Sequence, residues 1–159
     1  MAQTDLVDRE LCRRFDISGP RYTSYPTADR FQADPGAQLL VDALGHRPAV
    51  DQPLSLYVHL PFCSTVCYYC GCNKVITKDH SKSSRYLDYL EREIDMQIAA
   101  LKGSHTVAQL HWGGGTPTFL NDEEMARLMG ILRSRFDFLP DGEYSIEIDP
   151  RSVDPKRAH

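Results

Sequence analysis

Between residues 54 and 149 three strand-patterned runs alternate with two amphipathic helical runs, and few topologies accept that order. The first run, 54–60 (LSLYVHL), is rich in branched and aromatic residues and is closed by Pro61. Over 84–101, Leu87, Leu90, Ile94, Ile98 and Leu101 recur at three- and four-residue intervals, which predicts a helix with one apolar stripe. A second strand is predicted at 107–112 (VAQLHW), running into Gly113, Gly114, Gly115, Thr116 and Pro117. Asn121 and Glu124 have the spacing of a capping box ahead of Met125, Leu128, Met129, Leu132 and Phe136. The third strand, 143–149 (EYSIEID), alternates outward and inward residues. Connections of this length imply right-handed crossovers and a parallel sheet, so the fold class is α/β.

Residues 1–53 read differently. Gly19-Pro20, Pro26, Pro35-Gly36, Pro48 and Pro53 interrupt any long periodic element and predict an irregular arm. Two short helices fit inside it, around 4–15 and 35–45, the second carrying Leu39, Leu40, Ala43 and Leu44 at helical spacing. The expected organisation is an arm over 1–53 and a βα domain over 54–159. Three parallel strands cannot close a barrel, and the third would leave an open edge. The chain is therefore expected to be the N-terminal part of a longer fold, with further βα units beyond His159, and not to turn over substrate alone.

Several function classes are disfavoured at this stage. The formal charge is -4 and the basic residues are scattered, which argues against a nucleic-acid partner. No run approaches the ~18 apolar residues of a membrane helix, and the start, MAQTDLVDRE, lacks the basic-then-apolar pattern of an export signal. The expected location is the cytoplasm, with no membrane partner.

Four of the five cysteines fall between positions 63 and 72, with Cys12 far away. In a chain without an export signal such crowding suggests metal or redox chemistry ahead of disulfides. Cys63, Cys67 and Cys70, at spacings of four and three, sit on a loop just past the end of the first strand. Three thiolates on a 4Fe-4S cube leave one iron open to a small molecule. Zinc with Cys72 as fourth ligand is the competing reading, although zinc motifs usually set a second pair at a distance. The glycine run, taken alone, reads as a turn, and it lacks the lysine of a phosphate loop. Glu147 lies in a half-apolar strand, where alternation could expose it. His59 shares a strand face with Tyr57 and is either an outer hydrogen-bonding partner of the site or a satisfied core histidine. His46, His80, His105, His111 and His159 are assigned to surface or packing roles.

The C-x-x-x-C-x-x-C spacing resembles the radical S-adenosylmethionine (SAM) signature. Its flanks, 21–27 (RYTSYPT), 57–63 (YVHLPFC), 67–73 (CYYCGCN), 111–118 (HWGGGTPT) and 145–150 (SIEIDP), are similar to the oxygen-independent coproporphyrinogen III dehydrogenase family. This resemblance implies the first βα units of a partial (β/α) barrel, with a 4Fe-4S cluster on Cys63, Cys67 and Cys70 and SAM as second cofactor. It implies SAM contacts by Tyr57, Tyr69, Gly114, Gly115, Thr116 and Glu147, and substrate contacts by Arg21 and Tyr22 of an arm covering the site. Cys72 is not a ligand in the family, and its role stays open between packing and a part in the active site. The implied reaction converts two propionates of coproporphyrinogen III to vinyl groups, giving protoporphyrinogen IX. A 5'-deoxyadenosyl radical is the oxidant, and the electron comes from a donor such as a flavodoxin or ferredoxin; the full-length enzyme would be a monomer. The alternative within the superfamily is a heme-binding chaperone without decarboxylase activity.

Overall fold

A computed structural model of the chain describes residues 8–16, 27, 30–31, 36–46, 51–68, 70–151 and 153–154. Arg21, Tyr22 and Tyr69 lie outside the described residues. The chain divides into two compact units, 1–36 and 37–159. In the first, α1 (Arg9–Phe15) is capped by Asp8, whose carboxylate accepts from the backbone N–H of Glu10 and Leu11 at 2.9 and 3.1 Å. In the second, α2 (Ala37–Gly45) precedes the first strand. The end of α2 is tied to the residues after the long helix, where the N–H of Lys102 donates to the carbonyl of Leu44. By contacts, then, this helix belongs with the βα unit, whereas the sequence groups it with the arm.

The second unit holds β1 (Leu54–Leu60), β2 (Phe62–Cys63), β3 (Val75–Ile76), α3 (Ser81–Ala100), β4 (Thr106–Gly114), α4 (Asp122–Arg133) and β5 (Asp137–Ile146). The main sheet has the order β1-β4-β5 and is parallel throughout, as the crossover spacing predicts. Helix α3 starts at Ser81, earlier than the apolar stripe indicates, because Asp79 accepts from both the N–H and the hydroxyl of Ser81. The capping box of α4 forms with both of its hydrogen bonds, Glu124 N to Asn121 and Asn121 N to Glu124. Strand β5 begins at Asp137 because Asp137 and Phe138 pair with Thr106 and Val107 before a bulge over 139–142, which contains Pro140 and Gly142. The short β3, unforeseen from the sequence, brings the chain back alongside β2 after the cysteine loop.

Strand alternation sorts the sheet's residues into two faces. Val58, Leu60, Leu110 and Trp112 join Leu87 of α3 and Leu128 and Leu132 of α4 in the core. The opposite face carries Tyr57, His59, Gln109, His111, Gly113, Glu143 and Ser145. On β5 alternation does not produce alternating burial: Tyr144 and Ile146, in register with Leu110 and Trp112, keep 43% and 39% exposure. Across the helix layer Arg127 bridges Asp88 and Glu91, and Arg135 bridges Glu91 and Asp95, locking α4 and its trailing turn to α3.

Leu128→Ala removes a side chain with no exposed surface and should cost ~3 kcal/mol in urea unfolding. Leu39→Ala, at 60% exposure on α2, should cost less than ~0.5 kcal/mol in the same measurement.

Candidate active site at the carboxyl end of the sheet

The cysteine loop is anchored at both ends by backbone pairing. Phe62 and Cys63 pair with Val75 and Ile76, while Val75 N donates to Pro61 O at 2.7 Å and Thr77 N to Cys63 O at 2.9 Å. The glycine run is fastened to the same segment through Gly115 N to Leu60 O at 2.9 Å and Thr116 N to Phe62 O at 2.8 Å. Here the glycines are required by space. A Cβ at Gly115 would lie 2.7 Å from the Pro61 carbonyl and 2.8 Å from the Phe62 oxygen. Gly114 has φ +115, and a Cβ there would meet the His59 ring at 2.7 Å.

Cys63 is buried at the end of this anchor, with the Thr116 hydroxyl donating to its sulfur at 3.5 Å; Cys67 is exposed and Cys70 half-buried. The thiol of Cys70 is lowered, first by the Cys72 N–H directed at it and then by Lys74, against some desolvation. Cys72 moves the other way, raised first by partial burial and then by Cys70 and Glu147. The neighbouring Cys70 and Cys72 thiols are thus pushed in opposite directions. Among the described residues no three His, Cys, Asp or Glu side chains converge as a single ion would require. The fit to a cluster rests on the donor set instead: three sulfurs on one loop whose ends are anchored by backbone pairing.

Two cavities open beside the loop. One of about 510 Å³ is lined by Cys63, Cys67, Thr116, Asn121, Asp149 and Arg151. The other, about 420 Å³, has Cys67, Gly115, Thr116, Glu147 and Asp149 in its wall and so gathers four of the residues singled out from sequence. Glu147 continues the β5 ladder, its N–H donating to Trp112 O at 2.9 Å, and its carboxylate accepts from Gly114 N at 3.1 Å. His59 Nε2 donates to the Asn73 carbonyl at 2.8 Å, which leaves Nδ1 to accept from the Tyr57 hydroxyl at 3.0 Å. That places His59 as a link between β1 and the cysteine loop. The Tyr57 phenol is pushed up, first by partial burial and then by Glu147 and Cys72, and stays neutral.

Two residues of this region were not singled out by sequence. His111, read as a surface or packing residue, occupies the centre of the polar face, 2.8 Å from Ser145 Oγ and 3.5 Å from Glu147. Its strand parity with Tyr57 and Gly113 was the available signal. Arg151 forms a two-pronged pair with Asp149, Nε to Oδ1 at 2.9 Å and Nη2 to Oδ2 at 2.8 Å, which holds that carboxyl low. Cys67 lies close enough to contribute to raising the Arg151 guanidinium.

Comparison with known proteins adds a family context. Residues 57–159 match the radical SAM superfamily model. Among curated relatives, oxygen-independent coproporphyrinogen III oxidase of Escherichia coli is 51% identical over 147 residues, covering 92% of this chain and 32% of that protein. The Pseudomonas aeruginosa protein of the same name is 51% identical over 156 residues, covering 97% and 34%. That of Mannheimia haemolytica is 51% identical over 143 residues, covering 90% and 96%. The solved structure of coproporphyrinogen III oxidase from Escherichia coli, described as a radical SAM enzyme, superposes with a TM-score of 0.77 at 48% identity, covering 92% and 32%. The chain thus spans about a third of the length of the first two relatives and of the solved structure.

Gly115→Ala sets a methyl group against backbone that cannot step aside. It should destabilise the unit by ~2 kcal/mol in urea unfolding, whereas Gly130→Ala, with open space at its Cβ, should be neutral or slightly stabilising.

Proposed function

Because the chain belongs to the radical SAM superfamily and, within it, to the oxygen-independent coproporphyrinogen III oxidase family, we propose that it forms the cofactor-binding part of an enzyme that converts two propionates of coproporphyrinogen III to vinyl groups, giving protoporphyrinogen IX. The cofactors are those of the family, a 4Fe-4S cluster and SAM. The observation that carries the reading is the cavity shared by Cys67, Gly115, Thr116 and Glu147 at the carboxyl end of a parallel sheet, where α/β folds bind ligands.

In this reading Cys63, Cys67 and Cys70 hold the cluster. When bound there, the cluster would supply one electron to SAM, whose cleavage would give methionine and a 5'-deoxyadenosyl radical able to take one hydrogen atom from a propionate, the vinyl group then requiring loss of carbon dioxide and of one electron to an acceptor. The chain's own residues position and protect. Thr116 donates to the Cys63 sulfur, and the Cys72 N–H stabilises Cys70 as thiolate. Gly114 and Gly115, which let the end of β4 close against His59 and the Pro61–Phe62 backbone, are assigned to the cofactor through their main-chain groups, Glu147 presents a carboxylate to its amino or ribose groups, and neutral Tyr57 offers a ring and a hydroxyl. Tyr69 is assigned to the cofactor on its place between the second and third ligands. Cys72 is left out of the cluster on the family's pattern, with a packing or active-site part beside Cys70.

The arm over 1–53 is assigned to covering the site. Its Arg21 and Tyr22 are the groups assigned to the substrate, since a guanidinium binds a carboxylate through two parallel hydrogen bonds. A flavodoxin or ferredoxin would supply the electron, and the working form would be a monomer. No described helix is long and apolar enough to cross a membrane. A cytoplasmic location goes with this reading, because reducing compartments keep such thiols free.

Anaerobic reconstitution with iron and sulfide tests the reading. The expected product is brown and carries iron with sulfide, approaching about four irons per chain in the full-length protein. Cys63→Ala, Cys67→Ala and Cys70→Ala should each lose most of that iron, while Cys72→Ala retains it. Colourless protein containing zinc would overturn the assignment, as would loss of iron in Cys72→Ala equal to that of the other three. Tight heme binding without release of carbon dioxide or 5'-deoxyadenosine would replace decarboxylation with heme handling.

A further inference from the structure

We propose that His111 is the positioning residue of the SAM pocket, holding Glu147 and Tyr57 in their working posture; this rests on the function proposed above. Register places His111 between Tyr57 of β1 and Ser145 of β5 on the polar face. Three different contacts fix the ring. Its Nδ1 is 2.8 Å from Ser145 Oγ, its Nε2 is 3.5 Å from Glu147 Oε1, and its plane stacks on Tyr57 with centroids 5.8 Å apart and 15° between planes.

Glu147 thereby has a neighbour at both oxygens, Oε2 accepting from the N–H of Gly114 at 3.1 Å and Oε1 facing His111 Nε2 at 3.5 Å. A carboxylate with 54% exposure would otherwise sample many rotamers, and holding it removes that entropy cost from ligand binding. With Nε2 as the donor toward Glu147, which only accepts, Nδ1 is left to accept from the Ser145 hydroxyl. Gly113 completes the arrangement: a Cβ there would lie 3.0 Å from His111 Nε2, 3.0 Å from the Tyr57 ring and 3.2 Å from Glu147 Cδ. A methyl group there would press on all three side chains and require them to shift by a few tenths of an ångström.

The test measures SAM affinity by equilibrium dialysis on anaerobically reconstituted full-length protein. His111→Phe keeps the ring and its stacking but removes both nitrogens; it should weaken SAM binding roughly tenfold. His111→Gln restores an N–H near the Nε2 position and should bind within about threefold of wild type. In a Glu147→Gln background, His111→Phe should add little, because the carboxylate it served is already gone. A purely structural histidine would give equal losses for Phe and Gln, and losses that multiply in the double variant; either result overturns the inference, as does unchanged affinity in His111→Phe. If His111→Phe does not fold, Ser145→Ala frees the ring without deleting it, with a loss of about threefold expected and no loss counting against the inference. Wild-type protein that carries the cluster but binds no SAM would overturn the function proposed above and this inference with it. Wild-type binding combined with indifferent variants would overturn this inference alone.

Discussion

The parallel pairing of β4 with β1 on one side and β5 on the other is the constraint on which the rest depends. Because side chains alternate across a strand, one register decides two things together. It directs Val58, Leu60, Leu110 and Trp112 to the helix layer, and it lines up Tyr57, His111 and Ser145, with Glu147 just beyond, on the other face. A slip of one residue would bury the histidine and glutamate and expose the core, so the hydrophobic layer also fixes the register of the polar site.

The same pairing delivers the cysteine loop. Cys63 lies three residues beyond the end of β1, and the glycine run ends β4; backbone bonds from Gly115 and Thr116 to Leu60 and Phe62 sew the two together. The tightest sterics in the site, at Gly114 and Gly115, fall at this seam. The candidate site therefore lies where two strand ends are joined, while the helices α3 and α4 cover the opposite face of the sheet.

Much of this was legible in the sequence. The first two strands, the capping box at Asn121 and Glu124 and the stripe on α3 are local patterns, and they appear where the periodicity places them, whereas the third strand, expected over 143–149, runs over Asp137–Ile146. The cysteine spacing and the glycine run marked the seam. What escaped depended on pairing between distant segments. The short β3 exists only because it lies beside β2, and the early start of β5 only because Thr106 and Val107 offer partners ahead of a bulge. His111 looked like any strand histidine until β5 set Ser145 and Glu147 beside it, and Arg151 needed the turn after Asp149 to bring it toward Cys67.

The claim at the centre is that this seam holds a cluster with one iron left open for SAM. Electron paramagnetic resonance of the anaerobically reconstituted and reduced protein, recorded before and after addition of SAM, tests it most directly. The expected result is a reduced 4Fe-4S signal whose g-values shift when SAM is added, since a ligand has joined the open iron. A cluster signal unaltered by saturating SAM, or reduced protein with no iron-sulfur signal at all, would contradict it.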